Sequence, residues 1–200
     1  MRSEGGKETC GTGLSLPRFR CYTTDMEPNT KYPKRKPLRL KNYDYSTPGA
    51  YFITICTAGK KCMLSTVVGD GLSRPVVKLT NIGCIIEHQI EAIPKRFPTV
   101  SVDAYVIMPN HIHLLLSLHG GLDQASPAGR ASPSPTVGDV IRVLKSMSIR
   151  QARPYWGKGP LFQRFYYDHI IRNEKDYGEV WAYIEENPLR WAEDDLFAED

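Results

Sequence analysis

YVIMPNHIHLLLSL, residues 105 to 118, places two histidines one residue apart in an apolar run interrupted only by Pro109-Asn110. That dipeptide is a turn signal, so "VSVDAYVIM" (100–108) and "HIHLLLSL" (111–118) read as two strands lying antiparallel to each other. Side chains two apart on a strand share a face. His111 and His113 therefore point one way, while Ile112, Leu114 and Leu116 point the other. Polar groups in the middle of an apolar sheet need partners, and a cation shared by both imidazoles is one solution. Two unrelated half-buried histidines are the plainer one.

Outward from this pair the pattern continues. "PGAYFITICTA" holds a β-branched and aromatic run, Tyr51 to Thr57, between Pro48-Gly49 and Gly59, and reads as a central strand. Next, "TNIGCIIEHQIEAIPKRF" carries Ile82, Ile85, Ile86, Ile90 and Ile93 at helical spacing, with Thr80 or Asn81 as the cap. Beyond the histidines, Thr136 and Asp139 form a capping pair for a helix over Val137 to Arg153. One face of that helix is Val137, Val140, Ile141, Leu144 and Met147; the opposite face gathers Arg142, Lys145, Arg150 and Arg153. "LFQRFYYDHII" reads as a fourth strand. Asn173 then caps a last helix from Glu174 to about Asn187, with a core stripe of Tyr177, Val180, Trp181 and Ile184, and Pro188 ends it. The order is strand, helix, strand, strand, helix, strand, helix. Its first six elements make an α+β, ferredoxin-like split βαβ sandwich, an antiparallel sheet with helices on one face, followed by an extra C-terminal helix.

Two hundred residues with 41% hydrophobic and 24% charged side chains suit one globular domain and argue against disorder. The five cysteines, at 10, 21, 56, 62 and 84, are odd in number and include no Cys-x-x-Cys pair, so neither a disulfide framework nor a zinc ribbon is implied. No run is apolar enough for a signal peptide or a membrane helix, and the expected location is the cytoplasm. Residues 1–30 read as a disordered or extended tail, with Met26 as an alternative start. Residues 31–48 form a basic arm: Lys31 to Lys41 holds six basic residues, among them Lys34, Arg35 and Lys36, and no acid. Clustered cations of this kind gain by releasing counterions from phosphates, although a solvated arm has the same composition. The domain proper spans 49–192, with a flexible Gly/Ala/Ser/Pro loop at 120–136, and 193–200 is an acidic tail.

"MPNHIHLLL" followed by "FQRFYYDHIIRNEKDYGEVWAYIEENPLRW" closely resembles the single-tyrosine HUH transposases, IS200-like enzymes, and within them the REP-associated tyrosine transposase branch. HUH denotes histidine, bulky hydrophobic, histidine, here His111-Ile112-His113. The match runs from about Lys36 to Trp191. It implies a divalent cation, Mg²⁺ or Mn²⁺, held by His111, His113 and Asn187, and a catalytic Tyr183. Tyr183 and Asn187 are four apart, so one helical face carries both, roughly 6 Å apart. The implied function is metal-dependent transposition of single-stranded DNA, with cleavage and rejoining through a 5′-phosphotyrosine and hairpin DNA as a partner.

The basic arm and the Arg142, Lys145, Arg150 and Arg153 face are the candidate DNA contacts. Tyr166, Tyr167 and Tyr177 are packing or base-stacking residues; His169, Gln163 and Arg164 are open between DNA contact and structure; His88 and His119 belong to the surface. Phe162 stands where many relatives carry Trp. The resemblance allows a monomer or a homodimer that exchanges the tyrosine helix. It leaves two alternatives: a domesticated protein that binds or nicks hairpin DNA without mobilising itself, and a DNA-binding module with a vestigial site.

Overall fold

Four strands form one antiparallel sheet: β1 (Gly49–Cys56), β4 (Val100–Ile107), β5 (His111–Leu118) and β6 (Tyr167–Ile170), in the order β4-β5-β1-β6. The computed structural model describes residues 43–69, 74–120 and 134–197. Lys34, Arg35, Lys36, the tail at 1–30 and most of the loop at 120–136 therefore lie outside the described residues. Counting only these four strands, their order is second, third, first, fourth, which is the ferredoxin-like arrangement. The helices α1 (Asn81–Glu91) and α3 (Val137–Trp156) make the two crossovers.

The pleat sorts the residues into two layers. Tyr51, Ile53 and Ile55 of β1 and Ile112, Leu114 and Leu116 of β5 join Ile82, Ile86 and Ile90 of α1 and Val137, Val140, Ile141 and Leu144 of α3 in the main core. Phe52 and Leu115 face the other way and pack under a last helix, α4 (Glu174–Glu186), through Val180 and Ile184. The expected stripe of α4 holds at Val180 and Ile184, with Tyr177 partly buried against them, and fails at one position. Trp181 is exposed, because the sheet beneath meets a narrower face than the apolar count suggested.

Local signals hold the elements. Thr80 caps α1, accepting from the Gly83 N–H at 3.1 Å while its hydroxyl reaches the Met63 and Leu64 carbonyls. At Gly83 the helix passes so close to the preceding loop that a Cβ would lie 2.1 Å from the Leu64 carbonyl oxygen. The capping box of α3 forms between Thr136 and Asp139, and the helix runs on through Pro154 to Trp156, where Gly157 at φ 82° ends it.

Three elements differ from expectation. A small hairpin, β2 (Ser65–Val68) and β3 (Val76–Leu79), stands between β1 and α1, its four-residue strands too short to show a period. A four-residue helix, α2 (Ile93–Arg96), follows α1. The fourth strand is confined to Tyr167–Ile170, with one bridge at Phe162 to Thr57, since the chain between them turns away from the sheet.

One irregularity marks the outer strand. In β4 the register against β5 slips between Val102 and Ala104, leaving Asp103 as a bulge whose carboxylate accepts from Ser101 and Ser117.

Candidate metal and tyrosine site

His111 opens β5 directly after the turn at Met108, Pro109 and Asn110, all of them buried. This turn is not at the surface: Met63 and Leu64 donate to the Pro109 carbonyl and Thr57 to that of Asn110. Asn110 donates through Nδ2 to the carbonyls of Leu196 (2.7 Å) and Lys60 (3.3 Å), which fixes its amide with Oδ1 toward His111. That oxygen lies 2.9 Å from His111 Nδ1 and can only accept, so Nδ1 carries the proton and Nε2 keeps its lone pair. His113 is held likewise, Nδ1 at 2.9 Å from Thr54 Oγ1 on the neighbouring strand.

The two rings lie 4.5 Å apart, centroid to centroid. Burial drives the His111 pKa down to about 3; the Asn187 amide opposes the shift and Lys60 adds to it. Burial, and then His111, also hold His113 well below the usual imidazole range. Both rings are thus neutral donors at physiological pH.

Helix α4 brings the other side of the site. Asn173 caps it by accepting from the Asp176 N–H, and Glu174 and Asp176 in the first turn suit the positive end of the helix. Val180 and Ile184 seat it on the sheet, and the next position toward the histidines is Tyr183. Its ring centroid is 5.2 Å from that of His113 and 5.9 Å from that of Phe52, all within one chain. Asn187 follows at the start of a 3₁₀ segment, Asn187–Glu193, with backbone angles still helical, so the four-residue spacing from Tyr183 is kept.

Asn187 is buried and donates through Nδ2 to Asp194 Oδ2 at 3.1 Å. Asp194 Oδ2 is in turn 4.0 Å from His111 Nε2, and ligand atoms of His111, His113 and Asp194 all lie within 4.8 Å of one another. Among the described residues, three buried atoms here have no hydrogen-bond partner: His111 Nε2, His113 Nε2 and Asn187 Oδ1. Two donors on one small divalent cation stand at most about 4.2 Å apart, twice a bond of about 2.1 Å, so a contraction of a few tenths of an ångström brings the ligand atoms of His111, His113 and Asp194 onto one ion. Imidazole nitrogen with amide and carboxylate oxygen is a donor set for a divalent cation.

No family model matches the chain. Its relatives include an uncharacterised protein of Haemophilus influenzae, 33% identical and covering 82% of this chain and 94% of that one. Another is a REP-associated tyrosine transposase of Escherichia coli, 24% identical over 73% of this chain and 70% of that one. A solved structure of a REP-associated tyrosine transposase bound to a REP hairpin shares the fold, with a TM-score of 0.51 and 22% identity over 76% of this chain and 73% of that one. The chain is thus similar in sequence to REP-associated tyrosine transposases and shares the fold of one of them.

The structure gathers His111, His113, Tyr183 and Asn187 but not the basic helix face. Arg142, Arg150 and Arg153 are exposed on α3, across the sheet from the histidines. Lys145 is turned inward, contrary to its expected place on that face: its Nζ donates to the carbonyls of Gln163 (2.9 Å) and Phe165 (3.1 Å), and burial pulls its pKa down to about 8. His169 on β6 lies 3.0 Å from Asp176, so it ties the edge strand to the start of α4. His88 and His119 are exposed as expected.

Asp194 is the residue that sequence reasoning missed. It lies in the stretch expected to be an acidic tail, yet its side chain is 6% exposed, and Leu196 two residues on is buried. The domain therefore extends past 192. The signal was Trp191, Leu196 and Phe197, apolar residues interleaved with the acids.

Proposed function

We propose that this chain is a divalent-cation-dependent transposase that cleaves and rejoins single-stranded DNA, in or beside a hairpin, through Tyr183. One observation carries the reading: His111 Nε2, His113 Nε2 and Asn187 Oδ1 are buried without hydrogen-bond partners among the described residues, the two imidazoles side by side, Tyr183 against His113 and Asn187 tied to Asp194 next to His111. Buried polar atoms rarely go unpaired, and a cation satisfies all three at once.

His111, His113 and Asn187 hold the ion, with their orientation set by Asn110, Thr54 and Asp194. When bound, a Mg²⁺ or Mn²⁺ ion supplies positive charge at a non-bridging oxygen of the scissile phosphate. The Tyr183 oxygen attacks phosphorus in line; a Tyr–O–P bond forms, the P–O3′ bond breaks, and the products are a 5′-phosphotyrosine and a free 3′-OH. The phenol gives up one proton and the departing oxygen gains one, so the step is balanced without a nucleotide cofactor. Attack by another 3′-OH then reverses it and releases Tyr183. Phe52 and the His113 ring pack against the phenol ring and limit where its oxygen can point.

The test is covalent trapping. With Mn²⁺ and an end-labelled hairpin oligonucleotide, the full chain should give an adduct that survives denaturation, mapped by mass spectrometry to Tyr183 and absent in Tyr183→Phe. Cleavage without any adduct, or an adduct on another tyrosine, overturns the assignment.

A further inference from the structure

The segment Asp194 to Phe197 touches the site from a side that neither β5 nor α4 supplies. The two oxygens of Asp194 do different things. Oδ1 accepts the Leu196 N–H at 2.7 Å and closes a turn, while Oδ2 accepts from Asn187 Nδ2 and faces His111 Nε2. The first contact fixes the segment; the second leaves Asn187 Oδ1 turned away from the carboxylate. Two residues on, the Leu196 carbonyl accepts from Asn110 Nδ2, the same amide whose oxygen sets the His111 tautomer. Phe197 packs on Trp191 at 5.2 Å, and Trp191 on His111 at 5.8 Å.

Charge gives the second argument. The Asp194 side chain is only 6% exposed, and among the described residues its ion-pair geometry is with His111 alone, at 4.0 Å. A carboxylate sunk beside imidazole and amide groups is costly unless a cation joins them.

We propose that residues 194–197 form a strap that completes the metal site, with Asp194 as an anionic ligand beside His111, His113 and Asn187, and with the Leu196 carbonyl positioning His111 through Asn110. The proposal rests on the reading above that this cluster holds a divalent cation. It goes further by making ion binding and strap docking one linked equilibrium, so that each strengthens the other by the same factor.

Two measurements test it, both on the full chain without DNA. The first is calorimetric titration with Mn²⁺ of the unmodified protein, Asp194→Asn and His111→Ala. Asp194→Asn keeps an acceptor for Asn187 and removes only the charge; it should weaken Mn²⁺ binding by about ten- to a hundredfold, and His111→Ala should lose at least as much. Unchanged affinity in Asp194→Asn with loss in His111→Ala overturns the strap and leaves the cation reading standing. Unchanged affinity in His111→Ala overturns both. The second is hydrogen exchange at the Leu196 amide in the unmodified protein, which needs no variant to fold. Mn²⁺ should slow it, and no change refutes the linkage.

Discussion

Replacing Asn110 with alanine tests the core of this site, because that one amide joins three parts of the chain. In Asn110→Ala the His111 Nδ1–H and the carbonyls of Leu196 and Lys60 lose their partner together. The buried imidazole N–H alone costs about 1–3 kcal/mol when left unsatisfied, and each carbonyl bond is worth about 1 kcal/mol, so the total is about 3–5 kcal/mol. For a chain of this size that corresponds to a melting temperature lower by about 10 °C. The same change releases the His111 tautomer, since nothing then holds the proton on Nδ1, and Mn²⁺ affinity should fall by about ten- to a hundredfold. Thermal melting in EDTA and Mn²⁺ calorimetry read the two effects separately. A variant that melts as the parent does and binds Mn²⁺ equally well would refute the claim that Asn110 orients His111.

Thr54→Val keeps the shape of the side chain but takes the partner from His113 Nδ1; it should cost about 1–3 kcal/mol by urea denaturation and about tenfold in Mn²⁺ affinity. Gly83→Ala drives a methyl group into the Leu64 carbonyl, already 2.1 Å from an ideal Cβ, and should destabilise by about 1–3 kcal/mol or more; an unchanged melting temperature would mean α1 does not sit against that loop. In EDTA, stability should also fall with acid. His111 has a folded pKa of about 3 against 6.5 when unperturbed, so below 6.5 the unfolded chain binds a proton that the folded chain refuses. The loss is about 1.4 kcal/mol per pH unit from this residue, beginning near 6.5 and continuing toward 3. His113 adds to it in the same direction. A flat stability profile between pH 6.5 and 5 would show that these rings are solvated.

Much of this was legible in the sequence because it repeats with a period. The alternation from His111 to Leu118 fixed both the strand and its two faces, and the isoleucines of α1 and the caps at Thr136 and Asn173 located the helices. Four-residue strands such as β2 and β3 have too few residues for a period to show. The inward turn of Lys145 depends on carbonyls at Gln163 and Phe165 that a helical wheel does not contain. Asp194 was hidden for another reason: its neighbours Glu193 and Asp195 made it look like one more solvated charge, and only the fold sets it beside His111, more than eighty positions earlier.

A strand at the border of a sheet is an open template on which another chain can polymerise. Here β4 is eight residues long, but the slip at Asp103 breaks its hydrogen-bonding rhythm midway, and at the opposite border β6 has only four residues. Neither border offers an uninterrupted run for intermolecular zippering. Edge-to-edge pairing between copies of the chain is thereby disfavoured.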